Sequence, residues 1–318
     1  MKDSQKKKQK KQNRKFRLPL IIIPLVLFIC LVIVTTADIL VKEKVSKNNL
    51  RNLPFNYSVG LYPNIDKNLF PQTSAEGVVV MDRNSKTIIY SKNSDLRFAP
   101  ASTTKIMTAL VALEYYKRDD ILTVGNIQSE ESTLRFREGD KLRFEDLLYA
   151  MLLPSSNDAA LIIAGNYPGG EPAFVARMNE KAKEFNLSNT FYKEPVGLAD
   201  YGNYTSPIDL ANLASYAMQN PEFAKVVGTR DKVIDDADNT APTFVQNLNV
   251  LLGFSGVNGV KTGYTEEAGE VLVTSKVIDT PYGRQSIIIV VMQSDDRFGD
   301  SEKIINALQN LNYLSIHQ

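Results

Sequence analysis

Two residue types on which many enzymes depend are almost missing from this chain of 318 residues. It contains one cysteine, Cys30, inside an apolar run, and one histidine, His317, next to the C-terminus. These two residues cannot supply a Ser-His-Asp triad, a Cys-His pair or a zinc site with several His or Cys ligands. A hydrolase that uses a side-chain nucleophile would therefore need Lys, Asp, Glu or Tyr as its base.

The chain also lacks a strong net charge, which is +1 at neutral pH. This small value hides an uneven distribution, because residues 1–17 carry nine Lys or Arg and a single Asp. The remainder holds 28 basic and 35 acidic residues and is mildly acidic. Nucleic acids bind positively charged surfaces, so we expect no nucleic-acid partner for this larger part.

One long stretch has no charged residue at all. Residues 18–37 form an apolar run of twenty residues, about the length at which a helix crosses the roughly 30 Å hydrocarbon core of a bilayer. The run predicts a single N-terminal transmembrane helix, and the basic residues before it predict a cytoplasmic N-terminus. A cleaved signal peptide is the alternative, with Thr35 and Ala37 near the cleavage site. We favour a retained anchor, because the apolar core of a signal peptide is usually about 7–15 residues long.

Composition divides the chain into four segments. They are a basic cytoplasmic tail (1–17), a transmembrane anchor (18–37), a polar extracellular linker (38–75) and a folded domain (76–318). This organisation predicts a cell-membrane protein with one span, whose folded domain is extracellular.

Periodic apolar patterns in the folded domain predict a mixed α/β fold. A β-hairpin is expected at 77–82 and 87–91, and two β-branched runs near the end predict further strands. Helical spacing predicts the intervening elements and a closing helix. The order of elements favours one antiparallel sheet flanked by helices over alternating βαβ units. The predicted helices begin near Ser102 and cover 145–153, 159–164, 173–185, 207–218 and 302–311; the late strands cover 271–278 and 286–292.

A hydroxyl and an amine stand three residues apart where the first of these helices begins. Pro100 and the small polar residues after it are start signals. Residues three apart on a helix share a face, so the Lys105 amine can reach the Ser102 hydroxyl. Burial or a second cation can lower the pKa of a lysine towards neutrality, which makes this pair a candidate nucleophile and base.

Two later clusters add polar groups. Ser155 and Asn157 follow an apolar helix and can present a hydroxyl and an amide together, although helix capping is the plainer interpretation. Gly259 to Thr265 is typical of an edge strand. There, Lys261 and Thr262 can hold a carboxylate, and Gly263 leaves space for an extended peptide. The alternative is a surface turn.

The three clusters occur in a fixed order along the chain: Ser102-Thr-Thr-Lys105, Ser155-Ser-Asn157 and Lys261-Thr-Gly263. Together with the residues around them, these motifs resemble the D-alanyl-D-alanine carboxypeptidase family of low-molecular-weight penicillin-binding proteins. The resemblance covers roughly Ser74 to Tyr313 and implies the β-lactamase-like fold of the serine DD-peptidases.

The resemblance also implies a role for each motif residue. Ser102 would attack the carbonyl between two terminal D-alanines, Lys105 would take its proton, and water would hydrolyse the acyl-enzyme. Ser155, helped by Lys261, would pass the proton to the departing D-alanine, and Asn157 would orient Lys105 and the substrate amide. The backbone N–H groups of Ser102 and Tyr264 would bind the oxyanion.

The partners implied by the family are peptidoglycan stem peptides that end in D-Ala-D-Ala, and β-lactams as covalent inhibitors. No metal and no cofactor is implied. The folded domain, 76–318, would be the catalytic domain, and we expect membrane attachment through the N-terminal helix.

Three alternatives remain. A DD-endopeptidase that cuts peptidoglycan crosslinks would carry the same motifs. A class A β-lactamase is disfavoured, because no Glu-x-x-x-Asn pattern lies between the second and third motifs. An inactive wall-binding protein is the non-enzymatic alternative. Glu194 and Asn203 stand where relatives have Asn and a His-bearing segment, so the chain departs from the family pattern at these two positions.

Overall fold

The β-branched runs near the end of the chain form the two longest strands of an antiparallel sheet. The computed structural model describes residues 60–125, 134, 136–198, 202–235 and 242–316. In these residues the strands are β1 (Gly60–Asn64), β2 (Gly77–Asp82), β3 (Ile88–Lys92), β4 (Ile121–Thr123), β5 (Lys141–Arg143), β6 (Asp231–Ile234), β7 (Thr243–Gln246), β8 (Val257–Thr265), β9 (Gly269–Thr280), β10 (Gly283–Ser294) and β11 (Asn312–Ile316). The α-helices are α1 (Lys105–Tyr115), α2 (Phe144–Leu152), α3 (Asn157–Gly165), α4 (Gly170–Glu184), α5 (Pro207–Ala217), α6 (Pro221–Val227) and α7 (Arg297–Ala307).

The main sheet has the strand order β3-β2-β10-β9-β8, and every neighbouring pair is antiparallel. Successive side chains on a strand point to opposite faces, so each central strand contributes to two hydrophobic cores. On β2, Val79 and Met81 join one core, and Val78 and Val80 join the other. Both faces of the sheet are therefore covered, and β8 is left as an edge strand.

The larger core lies between one face of the sheet and the helices α1 to α6. Helix α1 is largely apolar after its first residue, and Lys105 through Ala112 are all buried, as expected for a helix surrounded by protein. Helix α5 packs against β2 and β10, and α7 packs against β9 and β10. Because α1 runs through the core, the residue at its start is held inside the protein.

The predicted fold class, an antiparallel sheet flanked by helices in a mixed α/β protein, is confirmed. The hairpin, the two long strands and the edge strand all occur where the sequence predicts them. The two-stranded sheets β1-β11, β4-β5 and β6-β7 were not predicted. Strand β1 lies inside the segment predicted as a linker, and its partner β11 stands at the other end of the domain. Pairing over that separation leaves no local sequence signal.

The predicted cell-membrane localisation is wrong. None of the helices in the described ranges combines the length and the apolar character needed to cross a membrane. The run at 18–37, from which a single span and an extracellular domain were predicted, lies outside the described residues. So do the basic tail, Cys30 and His317.

A buried hydrogen bond ties the end of the chain to the main sheet. The Tyr313 hydroxyl on β11 donates to Asp82 Oδ2 at the end of β2, over 2.6 Å. Hydrogen bonds to charged groups contribute about 1.5–3 kcal/mol. We expect Tyr313→Phe to lower the free energy of unfolding by that amount in urea titration. The exposed Tyr62 on β1 is the matched control, and Tyr62→Phe should leave stability nearly unchanged. Equal effects of the two substitutions would contradict the assignment.

Candidate active site

The first motif forms a short 3-10 turn, Ala101–Thr104, that leads directly into α1. The α-helix therefore begins at Lys105 and not at Ser102 as predicted. In a 3-10 turn, side chains three residues apart are eclipsed. This geometry brings the Lys105 Nζ to 2.8 Å from the Ser102 Oγ, so the predicted pair does meet. Lys105 is 0% exposed, whereas Ser102 is only partly buried.

The Lys105 amine lies among oxygen atoms from separate parts of the chain. Besides Ser102, it contacts Asn157 Oδ1 at 2.8 Å and the Val196 carbonyl at 3.0 Å. A neutral amine keeps two N–H donors and one lone pair. It can therefore donate to the amide and carbonyl oxygens while its lone pair accepts the Ser102 proton. The arrangement fits a base at this position.

The second motif occupies the turn between α2 and α3. Ser156 caps α3, because its hydroxyl accepts from the Ala159 N–H. Asn157 is the first residue of that helix and points at Lys105. Ser155 adopts a left-handed backbone conformation with φ of +67°, which is strained for a serine, and strain of this kind clusters at functional sites. Within the described residues its buried Oγ has no hydrogen-bond partner. This turn therefore caps α3 through Ser156 and also contacts Lys105 through Asn157.

The third motif lies on the edge strand β8, as predicted, and packs against the turn that carries Ser102. A Cβ atom placed on Gly263 would lie 3.0 Å from Ala101 Cβ and 3.1 Å from the Ser102 nitrogen. The space beside Gly263 is thus filled by the turn that carries Ser102, whereas the sequence analysis assigned it to a bound peptide. Thr262 is buried, and Tyr264 is 60% exposed. The oxyanion role of the Tyr264 N–H stays a prediction.

Lys261 is a second buried amine, only 2% exposed. Its Nζ donates to the Thr262 carbonyl over 3.1 Å. Burial lowers the pKa of Lys261 well below the usual lysine value, and the nearby charges of Lys105 and Arg297 lower it further. A bound anion would raise the pKa of this buried amine, because a nearby negative charge favours the protonated form.

Arg297 belongs to the same cluster, and the sequence analysis missed it. It is the first residue of α7, and its guanidinium donates to the Gly263 carbonyl over 3.0 Å. Its Nε is buried, with no hydrogen-bond partner in the part of the chain that the structure describes. No short motif marks Arg297, because only the packing of α7 against β9 and β10 brings it to the site.

The second missed element is the loop from Glu194 to Leu198, which supplies the Val196 carbonyl. Gly197 has φ of +98°, and a Cβ atom on it would lie 1.9 Å from the Ala101 carbonyl oxygen. Only glycine fits there. The sequence analysis noted Glu-Pro-Val-Gly-Leu as a departure from the family pattern, but that pattern gave no sign of contact with Lys105.

The structure thus brings all three predicted motifs together beside the turn that carries Ser102. Among the described residues no group of three or more His, Cys, Asp or Glu is arranged to hold a metal ion. The chemistry that the site can perform rests on a hydroxyl, two buried amines and a guanidinium.

Comparison with known proteins identifies this arrangement. Residues 65–296, more than half of the chain, match the sequence profile of a family described as D-alanyl-D-alanine carboxypeptidase. The chain belongs to this family. The resemblance stated from the motifs is therefore confirmed, as is the prediction of a serine-type D-Ala-D-Ala carboxypeptidase, a hydrolase.

Individual relatives carry related names. A D-alanyl-D-alanine carboxypeptidase, DacF, of Bacillus subtilis is 36% identical over 210 residues, which are 63% of this chain and 54% of that protein. The chain thus spans about half the length of that relative. A D-alanyl-D-alanine endopeptidase of Pseudomonas aeruginosa is 32% identical over 78% of this chain and 79% of its own. The crystal structure of the Streptomyces K15 DD-transpeptidase superposes with a TM-score of 0.69 at 33% identity, covering 75% of this chain and 98% of that one.

The contact between Gly197 and Ala101 can be tested with a matched pair of glycines. Gly283 also has a positive φ, +94°, but a Cβ atom there meets nothing within 4 Å. Gly283→Ala should cost only the backbone strain of about 1–2 kcal/mol. Gly197→Ala adds a clash, so we expect a clearly larger loss in unfolding titrations together with slower labelling by fluorescent penicillin. Similar losses for both variants would refute the close contact.

Lys261 should lower stability while the site is empty. Its lowered pKa means that the folded state disfavours the ammonium form, which the unfolded chain keeps up to pH about 10.4. We expect Lys261→Met to raise the free energy of unfolding at pH 7. The gain should shrink as pH rises towards that value, because the lysine then becomes neutral in both states. Lys225→Met, at an exposed lysine, should show no such gain. A less stable Lys261→Met variant at pH 7 would contradict the inference that the buried Lys261 amine lowers the free energy of unfolding.

Proposed function

We propose that this chain removes the terminal D-alanine from peptidoglycan stem peptides that end in D-Ala-D-Ala, through an acyl-enzyme on Ser102. The observation that carries the proposal is the 2.8 Å contact between the Lys105 amine and the Ser102 hydroxyl. It occurs in a chain of the D-alanyl-D-alanine carboxypeptidase family. The proposal assigns the activity to the predicted catalytic domain, 76–318.

Acylation begins when the neutral Lys105 amine takes the proton of Ser102 and the hydroxyl oxygen attacks the carbonyl carbon. The resulting oxyanion is held by the backbone N–H groups of Ser102 and Tyr264. One such donor contributes about 3–4 kcal/mol to stabilisation of the transition state. The close packing of Gly263 on the Ser102 nitrogen supports this part of the proposal, because it brings the strand to the nucleophile's backbone.

Departure of D-alanine requires a proton on its nitrogen. We assign the relay of that proton to Ser155, whose buried Oγ has no hydrogen-bond partner among the described residues and therefore keeps its donor and acceptor unused. Asn157 fixes the Lys105 amine through its Oδ1 and offers its Nδ2 to the substrate amide. Water then attacks the ester on Ser102, with Lys105 acting again as the base, and the shortened peptide is released.

The free carboxylate of the substrate is bound by Lys261, Thr262 and Arg297. Two cations and a hydroxyl at the edge strand suit a chain terminus, and a carboxylate would favour the protonated form of Lys261. β-Lactams carry a strained amide beside a carboxylate and should acylate Ser102 in the same position. The sequence analysis assigned the carboxylate to Lys261 and Thr262, and the geometry adds Arg297.

Cleavage of crosslinks is the second candidate, because relatives of similar identity are named D-alanyl-D-alanine endopeptidase. The decisive experiment offers the purified protein a free pentapeptide and a crosslinked muropeptide dimer at equal concentration. Release of D-alanine from the pentapeptide supports the carboxypeptidase. Cleavage of the dimer alone would establish the endopeptidase. A parallel assay offers penicillin, and its rapid hydrolysis would indicate a β-lactamase. Absence of reaction with all three compounds would indicate a wall-binding protein.

Ser102 can be tested directly as the nucleophile. Ser102→Ala should abolish both D-alanine release and covalent labelling, because no oxygen remains to form the ester. The measurement is the mass shift after benzylpenicillin, with the modified peptide located by digestion. Ser94→Ala, at a half-buried serine whose hydroxyl donates to Asp95 Oδ2, is the control and should label normally. Labelling that persists in Ser102→Ala would move the nucleophile to another residue.

A further inference from the structure

A buried carboxylate lies two residues before the carbonyl that contacts Lys105. Glu194 is 4% exposed. Its Oε2 accepts from the Val196 N–H over 2.6 Å, and its Oε1 accepts from the Gly197 N–H over 2.6 Å and the Leu198 N–H over 3.2 Å. Each of these partners is a donor, so the bonds favour the ionised carboxylate.

One peptide unit connects this carboxylate to the proposed base. The N–H of the Val196–Gly197 peptide donates to Glu194, and the C=O of the same peptide accepts from Lys105 Nζ over 3.0 Å. Hydrogen bonds in a chain polarise one another. The negative charge on Glu194 therefore makes the Val196 carbonyl a stronger acceptor, and it fixes the plane of the peptide that faces the amine.

Two further contacts keep the loop in place. Asn203 Nδ2 donates to Glu194 Oε1 over 2.6 Å, and Asn203 Oδ1 accepts from the Lys193 N–H over 2.7 Å. The Thr108 hydroxyl on α1 donates to the Pro195 carbonyl over 2.6 Å. The carboxylate is thus attached to the loop and to Asn203, and the loop is attached to the helix that carries Lys105.

We propose that Glu194, held by Asn203, is a positioning residue for Lys105 and acts on it through the Val196–Gly197 peptide. Its carboxylate keeps the amine aimed at Ser102 and favours the protonated state that the amine reaches after it has taken the Ser102 proton. This inference rests on the proposed role of Lys105 as the base.

The charges around the amine are arranged asymmetrically. Lys261 on β8 and Arg297 on α7 are basic groups of the same cluster, and Asp158 is a buried carboxylate beside Asn157 on α3. From the loop side, Glu194 brings the negative charge. Burial raises the pKa of Glu194, and the backbone donors and the charge of Lys105 oppose that rise. The interaction with Lys105 therefore favours an ionised Glu194 beside a protonated amine.

Glu194→Gln tests the proposal, because it removes the charge and keeps the size. We expect the rate of acylation by benzylpenicillin to fall about tenfold or more, since small misplacements of reacting groups have effects of this order. The acidic limb of the pH–rate profile for acylation should also move to lower pH. Without the carboxylate the protonated amine is less favoured, so the amine becomes neutral at lower pH.

Asp209→Asn is the matched control. Asp209 on α5 is equally buried, and its Oδ2 accepts from the Asn189 N–H over 2.7 Å and the Thr190 hydroxyl over 2.9 Å. Its carboxylate therefore does a similar structural task without a peptide link to Lys105. Asp209→Asn should lower stability and leave the acidic limb where it is in the wild-type protein. The same shift in both variants would overturn the proposal.

A second pair covers the case in which Glu194→Gln does not fold. Glu194→Asp and Glu194→Asn are equal in size and differ in charge, so the acidic limb should lie at lower pH in the Asn variant. Coincident limbs would refute the inference. If Ser102→Ala has lost labelling, that refutation leaves the proposed function standing. If Ser102→Ala still labels, the proposed function fails independently of Glu194.

Discussion

A buried amine needs oxygen partners, and this requirement organises the site. Lys105 stands at the start of a helix that runs through the core, where an unpaired amine would be strongly unfavourable. Its partners come from the turn before α1, from the turn between α2 and α3 and from the loop that contains Val196. Three distant segments therefore converge because one side chain cannot be buried without them, and the Ser102 hydroxyl is one of the groups that they bring to Lys105.

Close backbone packing sets the precision of this convergence. Gly197 and Gly263 approach the turn that carries Ser102, and a methyl group on either would meet its atoms at 3.0 Å or less. Ala101, between these contacts, has φ of +47°, an uncommon conformation for a residue with a side chain. The fold holds this strained turn in place from both sides. Such packing is typical of functional sites, where the surrounding structure prevents a strained backbone from relaxing.

Sequence reasoning succeeded where the signal was local. The spacing of Ser102 and Lys105, the hairpin and the edge strand depend on neighbours within a few residues, and the order of the motifs indicated the family. It failed where the interaction is long-range. Arg297 reaches the site only through the packing of α7. In the sequence, Glu194 is only a difference from the family pattern, and its connection to Lys105 is visible only in the folded loop. The span predicted at 18–37 was a local signal as well, yet the localisation drawn from it was wrong.

The arrangement of basic groups explains how the site can lower the stability of the protein while empty and still suit a substrate with a carboxylate. Lys261 is buried near two other basic side chains, Lys105 and Arg297, and its pKa is lowered well below the usual value, chiefly by burial. A substrate that ends in a carboxylate would remove that penalty, so carboxylate binding and protonation of Lys261 favour each other. A peptide without a free terminus would offer no such compensation. A preference for a chain end would therefore follow from the cost of the unfilled site as well as from the contacts made when it is filled.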